Sequence, residues 1–176
     1  MKGVVIWITG LSGSGKTTLA KKLTKFLKKK NINFLELSGD DLRNIFNLKG
    51  YDKKSRLKIA NYYSDFVYKL SKKNMNICFS AVALFDEIQK KNRNKIQNYF
   101  EIFIDSDLKS IKKLNKKSLY KKFKKNIWGQ DINYSRPKKP DFIIKNRLKK
   151  NENPFDIKIL NKIFKKVNIK IKRLNS

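Results

Sequence analysis

The sequence predicts an α/β fold in three layers, a mostly parallel five-stranded sheet with helices on both faces. Three observations predict it. Short apolar runs rich in β-branched and aromatic residues recur along the chain. Longer stretches between them carry apolar residues at helical spacing. Strand and helix alternate, so each strand returns to the sheet through a helix and lies parallel to its neighbours.

The first run, Val4-Val5-Ile6-Trp7-Ile8-Thr9, is almost unbroken and reads as a strand buried on both faces. Residues 10–15 are a glycine and serine loop. From Thr17 a helix follows, with Leu19, Ala20, Leu23, Phe26 and Leu27 on one face and lysines on the other. A second strand is read over 33–37 and a short helix over 40–46. A longer helix spans 57–70, with Leu57, Ala60, Tyr63, Val67 and Leu70 near helical spacing. Residues 77–82 are a third strand, 85–97 a helix and 99–104 a fourth strand. The stretch 108–125 is lysine-rich and only weakly periodic. Phe142-Ile143-Ile144 is a short fifth strand. Asn153-Pro154 opens a final helix over about 154–168, with Ile157, Leu160, Ile163, Phe164 and Val167 as its apolar side.

A chain of 176 residues suits one domain, taken as 1–176, and is long enough to bury a real core. Its 40% hydrophobic and 12% aromatic content argues against disorder. No apolar run approaches the roughly 18 residues that span a bilayer. The N-terminus runs straight into a strand without a cleavable signal pattern, so a cytoplasmic protein with no membrane contact is expected. A single cysteine, Cys78, excludes an internal disulfide. The absence of histidine removes Ser-His-Asp and Cys-His nucleophile systems and histidine metal sites.

The formal net charge of +30 invites a nucleic-acid reading. Its make-up weakens that reading. There are 38 Lys against six Arg, and 19 Asn. Lysine, asparagine and isoleucine are what AT-rich codons supply, so genome composition accounts for much of the bias. Arginine, which forks onto phosphates and bases, is scarce. A general pull on small anions follows in either case.

Gly10-Leu11-Ser12-Gly13-Ser14-Gly15-Lys16-Thr17 fits G-x-x-x-x-G-K-[ST] without a mismatch, between an apolar strand and a helix. Small residues let successive backbone N–H groups curl around nucleotide phosphates. The helix N-terminus adds its positive end. Lys16 is expected to reach the β- and γ-phosphates of ATP, and the Thr17 hydroxyl to ligate Mg²⁺. The guanine-reading Asn-Lys-x-Asp motif is absent, and the chain has room for little beyond a nucleotide-binding core. A small kinase with a P-loop nucleoside-kinase-like fold fits best.

After the second strand comes Ser38-Gly39-Asp40-Asp41-Leu42-Arg43. In a P-loop sheet the end of a neighbouring strand faces the γ-phosphate. A carboxylate there can take the proton from an attacking hydroxyl or hold the Mg²⁺ water shell. An arginine one turn on can hold an anionic acceptor. The plainer reading is an N-capping aspartate followed by a surface arginine.

At this point the chain resembles the adenylylsulfate (APS) kinase family over about residues 4–146. Trp7 to Thr18 looks very like that family's phosphate loop, and Ser38-Gly39-Asp40-Asp41-Leu42-Arg43 is similar to its Asp-Gly-Asp-x-x-Arg. Gly50-Tyr51 with Arg56 resembles Gly-Phe-Ser-x-x-Asp-Arg, and Lys117-Ser118-Leu119-Tyr120 resembles Lys-Gly-Leu-Tyr of a mobile lid. Trp128-Gly129-Gln130-Asp131, then Tyr134, Pro137, Pro140 and Asp141, resemble its closing stretch.

The resemblance implies transfer of the ATP γ-phosphoryl to the ribose 3′-hydroxyl of a nucleotide carrying an activated anion. It implies that residues 10–18, through Thr18, hold ATP, and that Thr17 and Asp40 hold Mg²⁺. Asp40 would orient or deprotonate the hydroxyl, and Lys117 would sit in the lid near the transferring group. Arg43 and Arg56 would grip the acceptor's phosphate-anhydride group. Tyr51 would stack on its base, with Trp128 beside the opposing aromatic's position. The lid would cover about 108–125 and close to exclude water. A homodimer is also implied.

Several positions depart from the family pattern. Ser38 and Ser55 stand where the family has aspartates, Lys58-Ile59…Asn61 replaces Glu-Asn-x-Arg, Ala81-Val82-Ala83-Leu84-Phe85 replaces the Ile-Ser-Pro segment, and Leu114-Asn115 replaces Arg-Asp. The ATP side is kept and the acceptor side is changed. That asymmetry, with the Phe85-Asp86-Glu87-Ile88…Asn92-Arg93 stretch, looks like the family's cytidine diphosphoramidate kinase branch, which serves capsule biosynthesis. Ordinary APS kinase is the alternative. A rival from another class is an ATP-switched nucleic-acid-binding protein, resting on the lysine excess; the kinase reading expects a small nucleotide acceptor and no nucleic acid.

Overall fold

Five strands form one all-parallel sheet: β1 (Val5–Gly10), β2 (Leu35–Ser38), β3 (Ile77–Ala81), β4 (Tyr99–Asp105) and β5 (Phe142–Lys145). Their order across the sheet is β2-β3-β1-β4-β5. The helices are α1 (Lys16–Lys28), α2 (Gly39–Ile45), α3 (Lys53–Lys72), α4 (Asp86–Lys95), α5 (Leu108–Leu114) and α6 (Ile157–Asn175). The computed structural model describes residues 2–114, 128–147 and 153–175.

Alternation along the strands divides the core into two apolar layers. Val5 and Trp7 of β1, with Ile77, Phe79, Tyr99 and Phe103, meet α2, α3, α4 and α5 through Leu42, Ile59, Tyr63, Val67, Ile88 and Ile111. Ile6 and Ile8, with Cys78, Phe100, Ile102 and Ile104, meet α1 and α6 through Leu19, Leu23, Leu27, Leu160, Ile163 and Val167. Covered on both faces, β1 is buried at every residue, as its unbroken apolar run requires. The outer strands β2 and β5 are more exposed. Trp7 and Phe79 pack ring to ring at 4.7 Å, and Tyr63 of α3 lies 5.4 Å from Phe79. Cys78, free and fully buried, sits in the α1–α6 layer, where burial pushes its thiol far above the ordinary range.

The charges are unevenly laid out. Neither α1 nor α6 contains an acidic residue, and Lys21, Lys25, Lys28, Lys158, Lys162, Lys165 and Lys166 are exposed on them. On the other face Asp65 of α3 pairs with Lys91 at 2.9 Å and Lys95 at 3.4 Å of α4. No described helix is long and apolar enough to cross a membrane.

The final helix differs from its reading over 154–168. Pro154 lies in a turn and the helix begins at Ile157, running to Asn175. Asp156 is the reason: its carboxylate accepts the Ile159 N–H at 2.9 Å. The turn drives Phe155 inward to 4% exposure, while Ile157 is 59% exposed and does not join the apolar side.

Candidate active site

The chain runs from β1 to β2 on one side of the sheet, and later reaches β4 and β5 on the other side of β1. That change of direction opens a crevice beyond the carboxyl end of β1, where open α/β sheets bind ligands. Residues 10–17 curl over this end. Gly13 (φ 81°) and Gly15 (φ 96°) are left-handed, a conformation that disfavours any side chain. A Cβ on Gly13 would stand 2.9 Å from Ile111 of α5, so that helix packs directly on the loop. Leu11 is buried and anchors the loop in the core, and Ser14 is fully buried. The Lys16 ammonium folds back and donates to the Leu11 carbonyl at 2.7 Å. No side chain caps α1, so its first-turn N–H groups face the loop's concavity as anion donors. Thr17 and Thr18 are exposed on that first turn, with Ser12 half-exposed and Gly10 ending β1.

Asp40 stands at the matching height on the other wall. Ser38 is in register with Ser80, and Ser80 with Ile8, so Asp40 and Gly10 each lie two residues beyond the same level. Only β3 separates their strands, a spacing of roughly 10 Å at the sheet. Asp40 does not cap the helix. Ser38 does, in a reciprocal box: its backbone N–H donates to Asp41 Oδ2 at 2.8 Å, and its hydroxyl accepts the Asp41 N–H at 3.1 Å. The serine in place of the family's first aspartate thus has a local job, and Asp40, one residue past the cap, is exposed.

The acceptor-side residues gather around Tyr51. The Arg43 guanidinium lies 4.6 Å from its ring centre and that of Arg56 lies 5.4 Å away. Arg43 also donates to the Leu48 carbonyl at 2.9 Å, and Arg56 donates to the Tyr51 carbonyl. Burial, and then the neighbouring charge of Arg43, holds the Arg56 guanidinium below its ordinary value. Two cations crowded on one aromatic make a place that favours an anion. Ser55 packs against Gly50, whose φ is 98°, and Asp52 caps α3 through the Ser55 N–H at 2.9 Å. Behind them the Tyr63 hydroxyl donates to the Gly39 carbonyl at 2.7 Å, tying α3 to the start of α2. Burial pushes this phenol up to about 12.

Trp128 is 3% exposed, with its ring held edge-on between Phe85 at 5.0 Å and Tyr134 at 6.5 Å, and the Arg56 guanidinium lies 5.8 Å from it. Lys117 lies outside the described residues, as does the expected lid beyond residue 114; α5 is the described part of that stretch.

Sequence reasoning missed three supports. Tyr63 reads as a plain core aromatic, since spacing cannot show where a hydroxyl points. Asn146 reaches the Ser14 carbonyl across 132 residues. Phe155 packs on Gly15, where a Cβ would meet its ring at 2.9 Å. Neither of the last two carries a local signal.

The residues present fit a bound nucleotide and its cation. The loop leaves a cradle that side chains on Gly13 or Gly15 would disturb, with a buried ammonium beside it. The Thr17 hydroxyl and Asp40 carboxylate are hard oxygen donors. Among the described residues no cluster of three or more acidic or thiol groups forms a dedicated cage. Few protein ligands, with substrate phosphates supplying the rest, is the habit of Mg²⁺.

Comparison with known proteins agrees with this geometry. The sequence model of the adenylylsulphate kinase family matches residues 2–145. A cytidine diphosphoramidate kinase from Campylobacter jejuni subsp. jejuni serotype O:2 is 35% identical over 151 residues, covering 84% of this chain and 88% of that protein. An adenylyl-sulfate kinase from a Picosynechococcus species is 30% identical over 145 residues, covering 80% and 82%. The solved APS kinase CysC of Mycobacterium tuberculosis, in complex with AMPPNP and APS, superimposes with a TM-score of 0.82 at 25% identity, covering 95% and 98% of the two chains. With its parallel sheet, its phosphate loop and these relatives, the chain belongs to the adenylylsulphate kinase family of ATP-dependent phosphotransferases.

Proposed function

We propose that this kinase transfers the ATP γ-phosphoryl to the ribose 3′-hydroxyl of a nucleotide-activated anion, and that the anion is cytidine diphosphoramidate. Residues 10–18 bind the donor's phosphates, with Lys16 swinging from the Leu11 carbonyl onto them. Thr17 and Asp40 hold Mg²⁺, which when bound offsets charge on the phosphates. Asp40 aligns the acceptor hydroxyl and takes its proton. Arg43 and Arg56 hold the acceptor's phosphates, and Tyr51 meets its base. Lys117 and the lid over 108–125 complete the site and exclude water.

The observation that carries the reading is the placement of Asp40 across β3 from the phosphate loop, with the Arg43–Tyr51–Arg56 cluster beside it. The acceptor's identity is supported by the serines at 38 and 55 and by the Campylobacter relative. Adenylylsulfate is the second reading, supported by the several 30% identical relatives that bear the name adenylyl-sulfate kinase.

A coupled ADP-release screen tests both, with cytidine diphosphoramidate, adenylylsulfate, CDP and adenylate-type acceptors at matched concentrations. The expected outcome is the highest kcat/KM for cytidine diphosphoramidate; a preference for adenylylsulfate transfers the conclusion to the second reading. In the same assay Lys16→Ala abolishes turnover. Asp40→Asn lowers kcat by about 10²–10⁴-fold with nucleotide affinity nearly kept, and a wild-type kcat would remove Asp40 from its role.

A further inference from the structure

We infer that Asn146 is a positioning residue for the nucleotide's β-phosphate, which it serves by fixing the plane of the Ser14–Gly15 peptide; the inference rests on residues 10–17 being the phosphate site. Asn146 follows β5 and is 2% exposed. Its backbone N–H donates to the Asp105 carbonyl at the end of β4, at 3.0 Å. Its side-chain Nδ2 donates to the Ser14 carbonyl at 2.9 Å, in a fully buried setting.

In a trans peptide the carbonyl oxygen and the following N–H point in opposite directions. Fixing the Ser14 oxygen toward the buried amide therefore turns the Gly15 N–H away from it. Gly15 caps α1 and precedes Lys16, so this N–H belongs to the set that surrounds a bound phosphate. Gly15, like Gly13, is left-handed and has no side chain to restrain the backbone, so this end of the loop hinges freely without the Asn146 anchor. Phe155 closes the same side: a Cβ on Gly15 would meet its ring at 2.9–3.0 Å and Asn146 Nδ2 at 3.6 Å. Leu11, Lys16 and the Ser14 N–H hold the loop's first half, while this hydrogen bond and the Phe155 ring hold the Ser14–Gly15 peptide at its second. Without the amide donor, a buried carbonyl loses its partner and the peptide gains reason to rotate.

The test is ADP binding to the full chain by titration calorimetry, with separate KM values for ATP and acceptor. Asn146→Asp keeps size and shape but, ionised, cannot donate to a carbonyl. The expected result is ADP binding about 10- to 100-fold weaker and an ATP KM raised to match, with acceptor KM unchanged. Lowering the pH protonates the buried new carboxyl and restores a donor, so the variant's ADP affinity recovers relative to wild type. Unchanged ADP affinity in N146D at alkaline pH, where the buried carboxyl is ionised, or ATP and acceptor KM rising together there, overturns the inference and leaves the phosphate site standing. Failure of wild type to bind ADP overturns the phosphate site itself. If N146D does not fold, Asn146→Ser carries the test, its hydroxyl too short to reach the Ser14 carbonyl: weaker ADP binding with unchanged acceptor KM is expected, and unaltered ADP binding overturns the inference.

Discussion

Asp40 and Asp41 are neighbours with opposite duties. The second is occupied locally, closing the start of α2 with Ser38; the first is exposed and free of the cap. Asp41→Ala should cost about 1 kcal/mol of stability, read as a lower midpoint in urea, with kcat nearly intact. That is the reverse of the pattern expected for Asp40→Asn, so the pair separates structure from chemistry. Tyr63→Phe should cost about 1 kcal/mol, because the Gly39 carbonyl loses its donor. The phenol's folded value lies above its ordinary 10.0, through burial, so its contribution is complete below pH 10.0 and is lost as pH climbs through about 12. Absorbance of the phenolate during alkaline titration checks this against Tyr63→Phe. The phosphate loop and the Asp40–Arg43 pair were legible because each is a contiguous string whose spacing encodes its geometry. Tyr63 and Asn146 were not, since their partners are 24 and 132 residues away.

At the scale of elements, a half-buried ionic clamp joins α4, β4 and the start of β5. Arg93 donates to Glu101 at 2.9 Å and to Asp141 at 3.2 Å, and also reaches the Lys139 carbonyl. Burial pushes the Glu101 carboxyl up, and Arg93 offsets only part of that. The segment leading back from Trp128 is fastened along the same side: Lys138 pairs with Asp86 at 3.2 Å and the Ser135 N–H donates to the Leu84 carbonyl at 3.3 Å. Arg93→Ala leaves Glu101 as an unpaired charge at 1% exposure, and should cost about 3–5 kcal/mol. Arg93→Lys keeps the charge but loses the fork, and should cost clearly less; thermal denaturation ranks the two. Strands and helices of this chain were readable from apolar periodicity, and their ends less so. Proline at 154 suggested a helix start, but the aspartate two residues on makes the better cap, and burial of Phe155 settles the turn between them.

For the whole molecule, strand-helix alternation gave the parallel sheet in advance, but the order β2-β3-β1-β4-β5 follows from which faces the connecting helices cover, and no local pattern records that. The excess lysine was also only half legible. AT-rich composition accounts for much of its amount; the fold shows its layout, with no acidic residue on helices α1 and α6 themselves while Asp65 of α3 pairs with Lys91 and Lys95 of α4. Filter retention of duplex DNA tests the rival reading: the kinase is expected to show little retention at physiological salt, and strong retention that falls steeply as salt rises would favour the nucleic-acid-binding reading. Phosphoryl transfer should change far less with salt.

The lone thiol has a practical corollary. Cys78 lies sealed within the sheet's α1–α6 layer, so a maleimide dye should ignore the native protein and attach only after denaturation. A cysteine introduced at position 117 would then be the sole handle for a fluorophore, and its emission on adding ATP would report directly on the stretch expected to close over the substrates.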